Sequence, residues 1–321
     1  MKKAAIVFLF LFSFILKSYE QTNTGPSYIN RAEKLLLAIS RDSLSLFQIP
    51  FKDTLRMKWE RLPGQRIGLK ISHLTETQKI ALHELMRSCL STQGYLTVTS
   101  VMFNEDIQQK FEPALGRNEY WVEIFGNPTT DHFWGWKLEG HHLSLNFTFK
   151  ENQMISNSPF LVSTNPANSI TDTIRAGLVI LYKEEELGRQ LVNSFTEDQL
   201  QKGYNSRKKT DIVYSEQDKN NIHVPDEGIY YDQLSKSQQL QLRELVAEYF
   251  NNFNQGEITT VNDFCNKNLR FFYVDSKQKG KPHYYRLING QQIIEYENYG
   301  NHIHCFWRTD NDFGKSFDTL K

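Results

Sequence analysis

Two short runs hold the side chains best suited to bind a metal ion: Gly140-His141-His142-Leu143-Ser144-Leu145-Asn146 and Asn301-His302-Ile303-His304-Cys305-Phe306-Trp307-Arg308. Four of the nine histidines fall in these runs, which is why they are taken together. Both read as strands, where successive side chains point to opposite faces. In the second run that alternation puts His302 and His304 on one face and Ile303 and Cys305 on the other. Two imidazoles side by side on a strand is a spacing that metal sites use. In the first run Leu143, Leu145, Phe147 and Phe149 form a core face. His142, Ser144, Asn146 and Thr148 form the other, expected either to meet solvent or to wall a polar pocket. Either run alone is more often a strand whose histidines simply bond to neighbours. Brought together, His142, His302 and His304 supply three nitrogen ligands and leave a position open. That arrangement suits a catalytic divalent transition metal, zinc first and copper or iron as alternatives. His141 is expected as an alternate ligand or proton shuttle, and Cys305 as a small buried thiol turned away from the histidines.

Arg308 continues the His302/His304 face and is a candidate clamp for an anionic group, with Asp310 or Asp312 as general base or as a partner behind a histidine. The same stretch, Arg308 to Gly314, reads equally well as an Asx-rich turn closing the strand. His132-Phe133-Trp134-Gly135-Trp136 suits either a hydrophobic core or a binding surface for a glycan or peptide, with core favoured. His73, His83, His223 and His283 are scattered and read as ordinary surface or satisfied residues. No Gly-x-Ser-x-Gly elbow, Walker A loop, His-Glu-x-x-His helix, dinucleotide fingerprint or EF-hand loop is present.

The elements that must position these residues are written twice. Adding 160 to the numbers of Gly68 to Gln78 gives Gly228 to Gln238, and Leu74, Thr75 and Gln78 meet Leu234, Ser235 and Gln238. Each triplet opens an amphipathic helix with a capping-box pattern. Further on the offset becomes 150: Trp121 to Ile124 meets Phe271 to Val274, and Gly140 meets Gly290. Each copy reads as strand, strand, glycine turn, strand, with Glu139-Gly140 and Asn289-Gly290 as turn signals. The shift implies ten extra residues in the first copy, near Val101 to Gly116. The expectation is an α+β fold of two duplicated helix-plus-hairpin halves, about 67–165 and 227–315. They would pack as one body about a pseudo-twofold with a cleft between them, joined by a helical connector over 170–226.

Residues 1–21 carry Lys2-Lys3, an apolar run from Ala4 to Leu16 and then polar residues, the pattern of a cleavable signal peptide. That run is too short to span a bilayer, which needs about 20 apolar residues. A periplasmic or secreted protein with no membrane span after cleavage follows as the expectation, with residues 22–321 as one domain. Lys plus Arg and Asp plus Glu both number 37, so no global field favours nucleic acid or anionic lipid. Any partner, whether a small molecule, a peptide or a glycan, must be recognised locally. Three cysteines, Cys89, Cys265 and Cys305, are too few for a disulfide scaffold and leave one bridge or three thiols open.

At Trp134-Gly135-Trp136, Gly140 to Asn146, Asn165-Pro166-Ala167, the Glu184-Glu185-Glu186 helix, and Asn301 to His304 running on to Asp312-Phe313-Gly314, the chain resembles the family known as domain of unknown function 3500. The resemblance covers most of the chain after residue 21. It implies a shared fold and makes the histidine-bearing strands a family signature, but it supplies no substrate.

Overall fold

The computed structural model describes residues 27–170, 174–207, 226–254 and 258–317. The expected signal peptide, His223 and most of the 202–227 linker lie outside the described residues. The Ser27 hydroxyl caps α1 (Tyr28–Ala38), and α2 (Arg41–Phe47) follows after a break at Ile39-Ser40, both in extended conformation. The chain continues through β1 (Gln48–Ile49), β2 (Leu69–Lys70), α3 (Glu76–Cys89), α4 (Thr92–Gln108), β3 (Tyr120–Phe125), β4 (Phe133–Gly140), β5 (Leu143–Lys150), β6 (Gln153–Ser156) and β7 (Phe160–Thr164).

The second half runs α5 (Tyr182–Asn193), α6 (Glu197–Gly203), β8 (Tyr204–Asn205), β9 (Ile229–Tyr230), α7 (Lys236–Phe250), α8 (Val261–Phe264), β10 (Arg270–Asp275), β11 (His283–Asn289), β12 (Gln292–Asn298) and β13 (Ile303–Arg308). The offset of 160 survives in the elements: β2 and α3 begin at 69 and 76, β9 and α7 at 229 and 236. Thr75/Gln78 and Ser235/Gln238 form the predicted reciprocal capping boxes. Where the first half has α4 of 17 residues, the second has α8 of four.

All 13 strands among the described residues join one mixed sheet, so the α+β expectation holds. The path β1-β3-β4-β5-β7-β13-β12-β11-β10-β8 presents the same order of elements from either edge. The expected halves do not stand apart at the sheet. Instead β7 and β13 pair antiparallel, Thr164 opposite Ile303 through Phe160 opposite Trp307, and weld the halves into one sheet.

Helices cover one face. Trp134 stacks on Phe149 at 4.3 Å and Trp136 on Phe147 at 4.8 Å, all four buried, so this aromatic run is core and not a ligand surface. On the opposite face the first half carries polar side chains that are nonetheless buried, Ser144, Asn146 and Thr148 together with Glu123, Lys137 and Glu139, while Leu161, Phe272, Tyr284 and Phe306 form a second apolar cluster further along. The irregular segment before Arg66 lies over the polar side chains. Lys137 Nζ donates to the Lys58 carbonyl at 2.7 Å, and the Glu60 N–H donates to Glu139 Oε1 at 2.8 Å. Lys137 Nζ also sits 3.2 Å from Glu123 and 3.8 Å from Glu139, so these acids are tied to lysine and not to histidine.

All three cysteines are free and buried, which settles the thiol alternative. Behind β13, burial raises the Glu184 carboxyl to about 8 from 4.5. Between those values the fold holds a proton that the unfolded chain releases, so this group's contribution to stability falls as pH rises from about 4.5 to 8. Glu184→Gln should therefore be more stable than the native chain at pH 8, by on the order of 2 kcal/mol, and equal to it near pH 4. Urea unfolding at the two pH values reads this directly. A gain of equal size at both would remove burial of the charge as its cause.

Candidate metal centre

Gly140 of β4 pairs with Leu143 of β5, so the two residues of the hairpin turn are His141 and His142. The sequence reading placed Gly140 in the turn and His142 on the strand; both assignments are corrected. Gly140 is needed for close approach, because a Cβ there would stand 2.5 Å from the Tyr120 ring. It is His142 that takes the left-handed conformation, at φ 64°. Such a conformation costs a histidine about 1–2 kcal/mol and marks a position fixed by its surroundings. The His142 N–H donates to the Arg61 carbonyl at 3.3 Å, and its own carbonyl accepts from Ser163 N–H of β7 at 2.8 Å. Across β7, His304 of β13 lies opposite Ser163, and Glu297 of β12 lies opposite His304. His302 precedes β13 in the hairpin from Asn298, its carbonyl accepting from Tyr299 N–H at 2.8 Å. The weld between β7 and β13 is thus what brings the two histidine runs together.

His142 Nε2 and His302 Nε2 are 3.0 Å apart, and one nitrogen from each of His142, His302 and His304 lies within 4.8 Å of the others. A tetrahedral ion bound at about 2.0–2.1 Å would hold its nitrogens about 3.4 Å apart. The close pair needs slight opening, and the widest separation needs closing by at most about 1.4 Å, within reach of small ring rotations. A carboxylate stands behind two of the rings: Glu105 Oε1 at 2.6 Å from His142 Nδ1, and Glu297 Oε2 at 2.9 Å from His304 Nδ1. A carboxylate on one ring nitrogen fixes the tautomer that presents the other nitrogen to a metal. Glu297 is held in turn by the Tyr299 hydroxyl, which donates to Oε1 at 2.6 Å. Glu105 Oε2 takes a second imidazole, His141 Nδ1 at 2.9 Å, while the His141 ring stacks on His142 at 3.6 Å.

The electrostatics keep the His142 and His302 rings neutral. Burial lowers His142 below the usual histidine range, with Glu105 opposing it; burial and the neighbouring His304 and His142 take His302 down to about 3. Burial pushes the Glu105 carboxyl up, but the hydrogen bonds from His141 and His142 outweigh it and hold it below the ordinary glutamate value. Arg61 adds positive charge that disfavours protonation of both His142 and His302. Neutral imidazoles are the form that binds metal.

Of the residues expected from sequence, His142, His302 and His304 converge. His141 lies behind Glu105, next to His142, in a group that itself has metal-ligand spacing. Arg308 and Asp312 do not join them. Arg308 is four residues along β13 from His304, about 13 Å of strand, and its Nε donates to Asp312 Oδ2 at 2.7 Å with both side chains buried. Asp312 Oδ1 also accepts from Thr309 N–H at 2.9 Å, and Thr309 Oγ1 accepts from Asn311 N–H at 3.0 Å, so the stretch closes the strand as a turn held by side chain to backbone bonds. Asp310 is exposed in that turn. Sequence reasoning did not single out Glu105, Glu297, Tyr299 or Arg61.

The fold and site define an α+β protein whose one large sheet carries a three-histidine centre backed by two glutamates. The family model described as "Protein of unknown function (DUF3500)" matches residues 22–315, and the chain belongs to that family. No match is found among curated proteins or among solved structures.

Proposed function

We propose that the protein is an exported metal-dependent enzyme, most simply a hydrolase, with His142, His302 and His304 as ligands of one divalent ion. The observation that carries the proposal is the pairing of three converging imidazoles with two buried carboxylates, each on the far nitrogen of a ligand. Metal-ligating histidines almost always carry such backing on the nitrogen away from the metal. Three nitrogen ligands leave a position for water, whose pKa a zinc ion lowers to about 7. Glu105 and Glu297 orient the ligand rings. His141, less buried than His142 and sharing Glu105 with it, is placed to pass a proton outward. Arg61, in place of Arg308, supplies the positive charge that would favour an anionic substrate group. Zinc suits the neutral nitrogen set; copper or iron on the same ligands would turn the chemistry to oxidation. Export rests on the N-terminal apolar run, and among the described residues no helix is long and apolar enough to cross a membrane.

Purified protein loaded with zinc should hydrolyse members of a panel of chromogenic esters, phosphates and amides, and lose that activity on chelation. Activity that survives both chelation and His302→Ala would defeat the proposal. Glu105→Gln should keep the fold but bind zinc about 10- to 100-fold more weakly, read by competition with a chromophoric chelator. Unchanged affinity would leave Glu105 without the orienting role given to it.

A further inference from the structure

Ser163 sits at the crossing of the two histidine runs. Its N–H donates to the His142 carbonyl at 2.8 Å, and His304 is its cross-strand partner on β13. Side chains of directly opposed residues share a face of the sheet, so the Ser163 hydroxyl points to the side that carries the His304 imidazole. Ser163 is fully buried, and its Oγ has no hydrogen-bond partner. A buried hydroxyl left unbonded costs about 1–3 kcal/mol, and an alanine would fit the same backbone without that cost. The neighbouring polar side chains of this face show the ordinary solution: Ser144 donates to Glu139 at 3.0 Å, and Asn146 donates to Ser144 at 3.1 Å. Among the described residues Ser163 is the one serine of β5 and β7 whose hydroxyl is unmatched, and it is the one beside the ligand rings; Asn146 Oδ1 on β5 also lacks a partner, but its amide nitrogen is held by Ser144 and the Pro159 carbonyl.

We propose that the Ser163 hydroxyl is the hydrogen-bond partner of the non-protein ligand of the metal, the water or the small anion that replaces it. The inference rests on the metal reading above and deepens it by naming the group that meets the bound oxygen. The position follows from the register. The ion is held by His304 of β13, by His302 just before it and by His142 of the β4–β5 turn; β7 runs between them, and Ser163 is the residue of β7 at that level. A single uncharged donor of this size, with Arg61 nearby, suits a small anionic ligand better than a bulky neutral one.

The test uses Co²⁺ as the metal and azide as the anion, both followed by the visible absorption of the cobalt protein. Native protein and Ser163→Ala should each take up one Co²⁺ per chain. The variant should bind azide about tenfold more weakly, and Ser163→Thr, which keeps the hydroxyl, should recover most of the loss. Equal azide affinity in native protein and Ser163→Ala overturns the assignment while leaving the metal site standing. Loss of Co²⁺ from a folded Ser163→Ala also overturns it, since Ser163 would then be part of the scaffold. Failure of the native protein to bind Co²⁺ removes the metal reading and this inference with it. Should Ser163→Ala not fold, Ser163→Gly supplies the same comparison.

Discussion

Replacing His302 and His304 together by alanine is expected to take the metal content from about one ion per chain to near zero, a loss of at least ~1,000-fold in affinity. Both residues come from the second half, so the change leaves His142 and its contact with Glu105 intact. One imidazole cannot hold a divalent ion against buffer, which is why the effect is so large. The β12–β13 hairpin should survive, because its register is set by Ile303, Cys305 and Trp307 packing in the helix-covered core. Elemental analysis beside circular dichroism separates the two possibilities. Full metal content in a folded double variant would place the ion elsewhere. Collapse of the fold with the metal would make the histidines structural.

Arg308→Ala is expected to have the opposite profile: a large loss of stability with metal content unchanged. Arg308 and Asp312 are a buried pair at 2.7 Å, and removing the arginine strands a carboxylate away from water. Breaking such a pair from one side costs about 3–5 kcal/mol. Arg308→Ala/Asp312→Asn should recover part of the loss, because the remaining group is then neutral. Denaturant unfolding reads both variants. An Arg308→Ala protein of normal stability that loses turnover would restore Arg308 to the catalytic role its strand position first suggested.

The histidine cluster was legible from sequence because its information is local. Strand alternation places His302 beside His304, and the repeated order of elements allows two halves packed as one body to bring the two histidine runs close. The capping boxes and the 160-residue offset were legible for the same reason, as both are written within a few residues. What was hidden is long-range. Glu105 lies in the stretch recognised as ten extra residues, yet nothing in Val101-Met102-Phe103-Asn104-Glu105 tells that this turn of α4 reaches the β4–β5 hairpin 37 residues later. Glu297 was hidden likewise, since its role depends on β12 and β13 being paired in that register. Gly140 was misread for a different reason. Glycine serves both left-handed turns and close approach, and only the Tyr120 ring packed on it tells which. Arg308 was overvalued because sharing a face with His304 says nothing about distance along the strand.

X-ray absorption at the zinc edge of the native protein, reconstituted with one equivalent of Zn²⁺, tests the central claim most directly. The three-histidine centre predicts three imidazole nitrogens at about 2.0–2.1 Å with their outer-ring scattering, plus one further oxygen or nitrogen ligand. A shell of oxygens without imidazole scattering, or no tight uptake of zinc at all, would contradict it.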